Sequence, residues 1–383
     1  MLASKLTGPG LSTGPRVPNV EKCVEKSLTK VITAGIVISV IVLQKPVRPA
    51  TQGVPAGALF FYKFQVVTRQ MAKPFLTYQQ QIEKLRTEKG LIISNEAYAE
   101  AMLRQNSYFA LITGYKHLFK NKTTKKYKDG TRFEDIVTLY EFDRGLRELF
   151  LKYLCRVERH IRSLLSYYFS EKHGEAQEKY LDKANYRYTG ADIVRVDRLV
   201  YKLTSIIHNP DSQYEYIRHY VSQNHNVPLW VLLNTVTFGT LSKMYMLLPQ
   251  DIQIKISTNF QGINESQLGS ILSILSRFRN VCAHNERLFS YRVKASIPDL
   301  LLHQKLSLPK TGTQYSCGKS DLFAVVITLR YLLSKNDFLT LKQELVLLIN
   351  KFKRSTTAIQ EKELLSAMGF PENWTSITRF RKL

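Results

Sequence analysis

The sequence predicts an all-α protein of 383 residues, and three observations carry that expectation. Apolar residues recur at helical spacing through most of the chain from Thr77 onward. A helix-start signature, Asn264-Glu265-Ser266-Gln267, stands directly before one such stripe, with Asn264 as N-cap and Gln267 reaching back. The chain shows no strand-rich region, Gly-rich phosphate loop, heptad array or internal repeat.

Taken in order, Tyr78–Lys89 and Asn95–Gln105 read as short helices, and Ser107–Phe119 as an aromatic-rich third. A basic loop follows, carrying Lys120, Lys122, Lys125 and Lys126; it reads equally as a solvated turn or as a phosphate-contacting loop. Phe133–Lys172 is the longest periodic segment, with Ile136, Leu139, Leu146, Leu149, Tyr153, Val157, Ile161 and Leu165 on its stripe. It also holds Asp143, Arg147, Glu158 and Arg162. Tyr186–Asn226 is polar and irregular with some helix. Pro228–Leu248 is helical and broken at Gly239. Glu265–His284 is amphipathic, Leu301–Ser320 is a loop, Asp321–Leu333 and Asp337–Phe352 are helices, and a polar tail ends the chain. Pairing Phe133–Lys172 with Glu265–His284 would form a four-helix-type core.

Residues 1–70 differ in composition. Gly, Pro, Ser and Thr crowd Leu6–Pro18 and Pro46–Gly57 around one apolar run, Val31–Leu43. That run is shorter than the roughly 20 residues that span a bilayer. Lysines precede it as in a signal sequence, but a small-x-small cleavage site is lacking. Met71 reads as a natural start, so 1–70 is expected to be a poorly ordered or non-native extension. The other expected divisions are an N-terminal helical segment, 71–130; a helical core, 131–300; and a C-terminal helical segment, 301–383.

The chain carries 55 Lys and Arg against 31 Asp and Glu, a formal charge of +24. Residues 71–383 alone hold 46 basic and 29 acidic residues, or +17. Such an excess favours a polyanionic partner. The four cysteines, Cys23, Cys155, Cys282 and Cys317, form no C-x-x-C pair, and Cys155 and Cys282 read as lying on apolar helix faces. With no ligand-spaced histidines either, the chain reads as a reducing, cytoplasmic protein with no disulfide, metal or other cofactor.

Arg279-Asn280-Val281-Cys282-Ala283-His284 is the stretch richest in chemistry. An imidazole moves protons near neutral pH, and a guanidinium holds phosphate through two parallel hydrogen bonds. Leu268, Ile271, Leu272, Leu275, Phe278 and Cys282 form one stripe; Ser273, Arg277, Asn280 and His284 share the opposite face. Arg279 falls inside the apolar stripe, where a charge needs a partner. Glu158 or Asp143 is the natural candidate; the alternative is a stripe that faces a shared cleft. Arg279 and His284 lie roughly 140° apart on an ideal helix, so they converge only if the helix ends there or a second subunit completes the site. Arg277 is the alternative phosphate clamp.

Several segments, in order, resemble the Abi-like abortive-infection proteins of the AbiD and AbiF type. These are Ser107-Tyr108-Phe109 with Gly114-Tyr115; Phe142-Asp143-Arg144-Gly145-Leu146-Arg147 with Glu158 and Arg162; Pro228-Leu229-Trp230-Val231 with Phe238-Gly239-Thr240-Leu241-Ser242; Arg279 to Asn285 with Arg287-Leu288-Phe289; and Met368-Gly369-Phe370-Pro371 with Trp374. Asn234 departs from the pattern, where a Glu is expected. The resemblance implies a HEPN-like helical bundle with additional N- and C-terminal helices. It further implies a metal-independent endoribonuclease, usually a homodimer, acting in phage defence or as a toxin, in some relatives with a small structured RNA partner. On that reading Arg279, Asn280 and His284 are catalytic, and Asp143, Arg147, Glu158 and Arg162 support them. Arg277, Arg287 and Arg292 join the loop lysines in binding RNA. A second reading is an RNA-binding or toxin–antitoxin partner protein that uses the same cleft without cleavage. A third is a membrane-associated effector relying on Val31–Leu43, though no membrane partner is expected.

Overall fold

The computed structural model describes residues 74–121, 123–209 and 213–380 in full, and the backbone of three short strands before them. The chain divides into two compact units, Met1–Leu76 and Thr77–Leu383.

In the first unit, β1 (Lys30–Thr33), β2 (Ile36–Ser39) and β3 (Val67–Gln70) form an antiparallel sheet in that order. Thr33 sits opposite Ile36, and Ser39 opposite Val67. The apolar run of this region therefore supplies β1 and β2. Its residues are mostly β-branched, which suits a pleated strand better than a helix. The rest of 1–73, including Cys23, lies outside the described residues.

The second unit is all-α apart from a two-stranded hairpin, β4 (Lys310–Thr311) and β5 (Gln314–Tyr315). Its longer helices are α1 (Tyr78–Thr87), α2 (Glu96–Asn106), α3 (Phe133–His173), α4 (Asp192–Ile207), α5 (Phe238–Leu247), α6 (Gln250–Ser257), α7 (Glu265–Ala283), α8 (Leu322–Leu332), α9 (Lys335–Ser355) and α10 (Glu361–Met368). The 41-residue α3 is the spine. Its apolar residues recur on several sides, so it is covered by α9, α7 and α6, while α7 also packs on α5. At Gly269 the two helices approach closely: a Cβ there would displace the Met246 thioether, which lies over the glycine. Among the described residues no helix is long and apolar enough to cross a membrane.

Several sequence expectations need correction. Leu301–Ser320 is not all loop, since it opens with a short helix at Leu301–Lys305 and holds β4 and β5, and Ser107–Phe119 is not one helix but a π turn and a 3₁₀ turn. The polar stretch after Tyr186 contains the 16-residue α4, which buries Val196, Leu199, Val200, Leu203 and Ile207 at helical spacing. The break near Gly239 falls earlier: Thr237 caps α5 and accepts the Thr240 amide, with Gly239 inside the helix. The tail holds α10 and a 3₁₀ turn at Trp374–Thr378, which buries Trp374 and Ile377. Cys155 is exposed, not on the buried face of α3.

Candidate functional site

α7 starts as its sequence demands. The Asn264 side chain accepts the Gln267 amide at 2.8 Å, and the Gln267 side chain accepts the Asn264 amide at 3.0 Å. Leu268, Ile271, Leu272, Leu275, Phe278 and Cys282 are all buried. Arg277, Asn280 and His284 are exposed on the opposite side. Burial pushes the Cys282 thiol up to about 12, which leaves it a packing group and not a nucleophile.

The helix ends at the motif. His284 is the C-cap, and its amide donates to the Asn280 carbonyl at 2.9 Å. Asn285 follows with φ +55°, a left-handed conformation that Asn tolerates better than most residues. The Glu286 amide then reaches back to the Val281 carbonyl at 3.1 Å, closing the Schellman pattern of a helix terminus. His284 thus stands at the rim of the bundle and not along a continuing cylinder.

Arg279, 27 % exposed in its side chain, pairs with Glu158 of α3 through Nε to Oε2 at 3.2 Å. The other oxygen of Glu158 takes Arg162 Nη2 at 3.4 Å. One nearly buried carboxylate therefore carries two guanidiniums and resolves the cost of placing Arg279 in the stripe. The terminal nitrogens of Arg279 make no hydrogen bond to a described residue.

A second anchor lies fifteen residues earlier on α3, roughly 22 Å away along its axis. Asp143 is fully buried. It accepts the Tyr115 hydroxyl at 2.6 Å, Arg147 Nη1 at 2.6 Å, and the amides of Leu288 at 3.0 Å and Phe289 at 2.6 Å. Burial pushes this carboxyl up, while Tyr115, the two amides and Arg147 pull against that shift. The Tyr115 hydroxyl is pushed up by burial and then by Asp143. Phe289 stacks between Tyr115 and His117. The segment immediately after His284 is thereby fixed to the spine on one side of the motif, as Arg279 is on the other.

Of the two partners expected for Arg279, Glu158 is the one the structure supplies; Asp143 is committed to Arg147. Sequence reasoning named Tyr115 only within a family-like segment, with no role, and did not find His117. The Asp143–Arg147 pair was not read from the sequence either, although a spacing of four on a helix is a signal that could have found it.

The expected RNA-contacting residues divide. Arg277 is exposed and makes no ion pair among the described residues. Arg287 donates to the Gly114 carbonyl at 2.6 Å. Arg292 pairs at 2.8 Å with Asp321, which caps α8. Lys125 and Lys126 are exposed on a tight hairpin closed by Asn121, and Lys120 lies over the Tyr127 ring. Burial first, and then the nearby Lys116 and Lys89, hold the Lys120 amine below its usual range. Lys122 lies outside the described residues. The remaining family-like segments also pack: Asn234 closes the turn at Trp230, and Gly369 abuts Asp321.

Fold and site together define an all-α protein with an R-N-x3-H motif at the exposed end of a helix doubly tied to a central spine. The family model described as Abi-like protein matches residues 101–290, which include every residue of both anchors and the motif. The chain belongs to the Abi-like family. No curated protein and no solved structure matches it.

Proposed function

We propose that the protein is a metal-independent endoribonuclease of a bacterial abortive-infection or toxin system, with a HEPN-type site. One observation carries the reading. Arg279 is presented by a buried carboxylate at the end of the helix that exposes Asn280 and His284. Glu158 orients the guanidinium through Nε, leaving the paired terminal N–H groups for a phosphate, the geometry in which arginine binds best. His284 takes the proton of the ribose 2′-hydroxyl or delivers one to the leaving 5′-oxygen. Arg279 stabilises charge developing on the phosphate. Asn280, one turn before His284, orients the imidazole or the phosphate, and Arg277 on the same face adds a phosphate contact. The attacking group is the substrate's own hydroxyl, so the chemistry calls for RNA and no metal. The working form is a homodimer in which two such motifs face one cleft.

The test is incubation of RNA with the protein in excess EDTA. Fragments ending in 2′,3′-cyclic phosphate are expected, with no cut where the scissile nucleotide is 2′-deoxy. Tight binding with no cleavage would replace this reading by the non-catalytic partner protein.

A further inference from the structure

Beside the motif lies a cleft of about 580 Å³ between the turn Phe109–Thr113 and the segment 286–292. Two of its features are unexplained by packing. Phe109 is 77 % exposed, although Tyr115 and Phe119 just beyond it are buried. The backbone before it is strained: Ser107 has φ +59° and ψ 152°, a region almost confined to glycine and held by others only where surroundings impose it. The five residues from Phe109 then wind as a single π turn, a feature common at functional sites. Secondly, Arg287 at the rim is pinned by the Gly114 carbonyl, with no carboxylate paired to it.

We propose that this cleft is the subsite for one unpaired nucleobase next to the scissile phosphate. Phe109 supplies the stacking face. The exposed Glu286 carboxylate meets the base edge, and Arg287 meets the adjoining phosphate. Arg287 follows His284 by three residues in the chain, so the cleft is formed by the segment that leaves the motif. A base inside a duplex cannot reach such a face, so the substrate class is RNA that is single-stranded or looped at the cut. The assignment rests on the ribonuclease reading of the motif.

Binding is measured on the full chain carrying His284→Ala, with a fluorescein-labelled mixed-sequence RNA strand and the same strand annealed to its complement. Adding Phe109→Ala is expected to lower single-strand affinity about tenfold, as loss of one stacked base does. Duplex affinity stays unchanged, and Phe109→Trp keeps the preference. Equal loss on both probes, or no loss on either, overturns the subsite. So does a change in self-association without RNA at unchanged single-strand preference, since Phe109 then serves a contact between copies. If the parent chain never cleaves RNA but binding remains Phe109-dependent, the ribonuclease reading fails and the cleft stands only as a site for an unpaired base. Cleavage with no Phe109-dependent binding is the reverse.

Discussion

At the scale of single residues, the motif splits into groups that packing needs and groups it does not. His284 is exposed, and its ring makes no hydrogen bond to a described residue. Arg279 shares Glu158 with Arg162, so its loss leaves that carboxylate one partner. Arg279→Ala is therefore expected to abolish cleavage at a stability cost of about 1–3 kcal/mol, the range of a charged hydrogen bond. Arg277→Ala is expected only to weaken RNA binding. Activity surviving Arg279→Ala but lost in Arg277→Ala would move the phosphate clamp one turn. Glu158→Gln keeps a hydrogen-bond acceptor for Arg279 Nε but removes the charge, and is expected to depress turnover more than melting temperature. Asp143→Ala strands Arg147 and two amides in the interior. A loss of roughly 3–5 kcal/mol is expected, read from chemical denaturation. A variant as stable as the parent would show that the loop after His284 is held by other contacts.

At the scale of elements, the site depends on where helices stop. The α7 stripe, its N-cap and the need for a carboxylate beside Arg279 were legible in the sequence, because each follows from spacing of three or four residues. The Asp143 anchor was not legible: the sequence offered Asp143 only as a partner for Arg279, and its bonds to Leu288 and Phe289 join positions some 145 residues apart. α4 was hidden because Tyr, His, Asn and Pro around it mask a five-residue apolar stripe. The tail was hidden for a similar reason, and its closure is specific. Gly369 has φ +79° and lies against Asp321, which also holds Arg292 and the Gly318 amide. Gly369→Ala is expected to destabilise by about 1–3 kcal/mol through crowding, more than a typical surface change. An unaltered melting temperature would contradict that packing.

At the scale of the molecule, charge and division into units set the behaviour. Residues 77–383 have their own core around α3, so a chain beginning at Met71 is expected to keep its helical circular dichroism and its RNA cleavage. An insoluble product would show that the first unit is needed to cover the second. The +17 on residues 71–383 should make RNA affinity fall steeply with salt. Each neutralised phosphate lowers log K by about 0.7–0.9 per log unit of salt, so about six contacts give a slope near −4 to −5. A flat dependence would assign the charge to something other than RNA. The central claim is narrower than any of these and is tested by one comparison: the rate of RNA cleavage by the parent chain and by His284→Ala, in EDTA, with matched circular dichroism. Loss of the proton-transfer group is predicted to slow cleavage about 10²- to 10⁴-fold; a variant that cuts at the parental rate would contradict the assignment of His284.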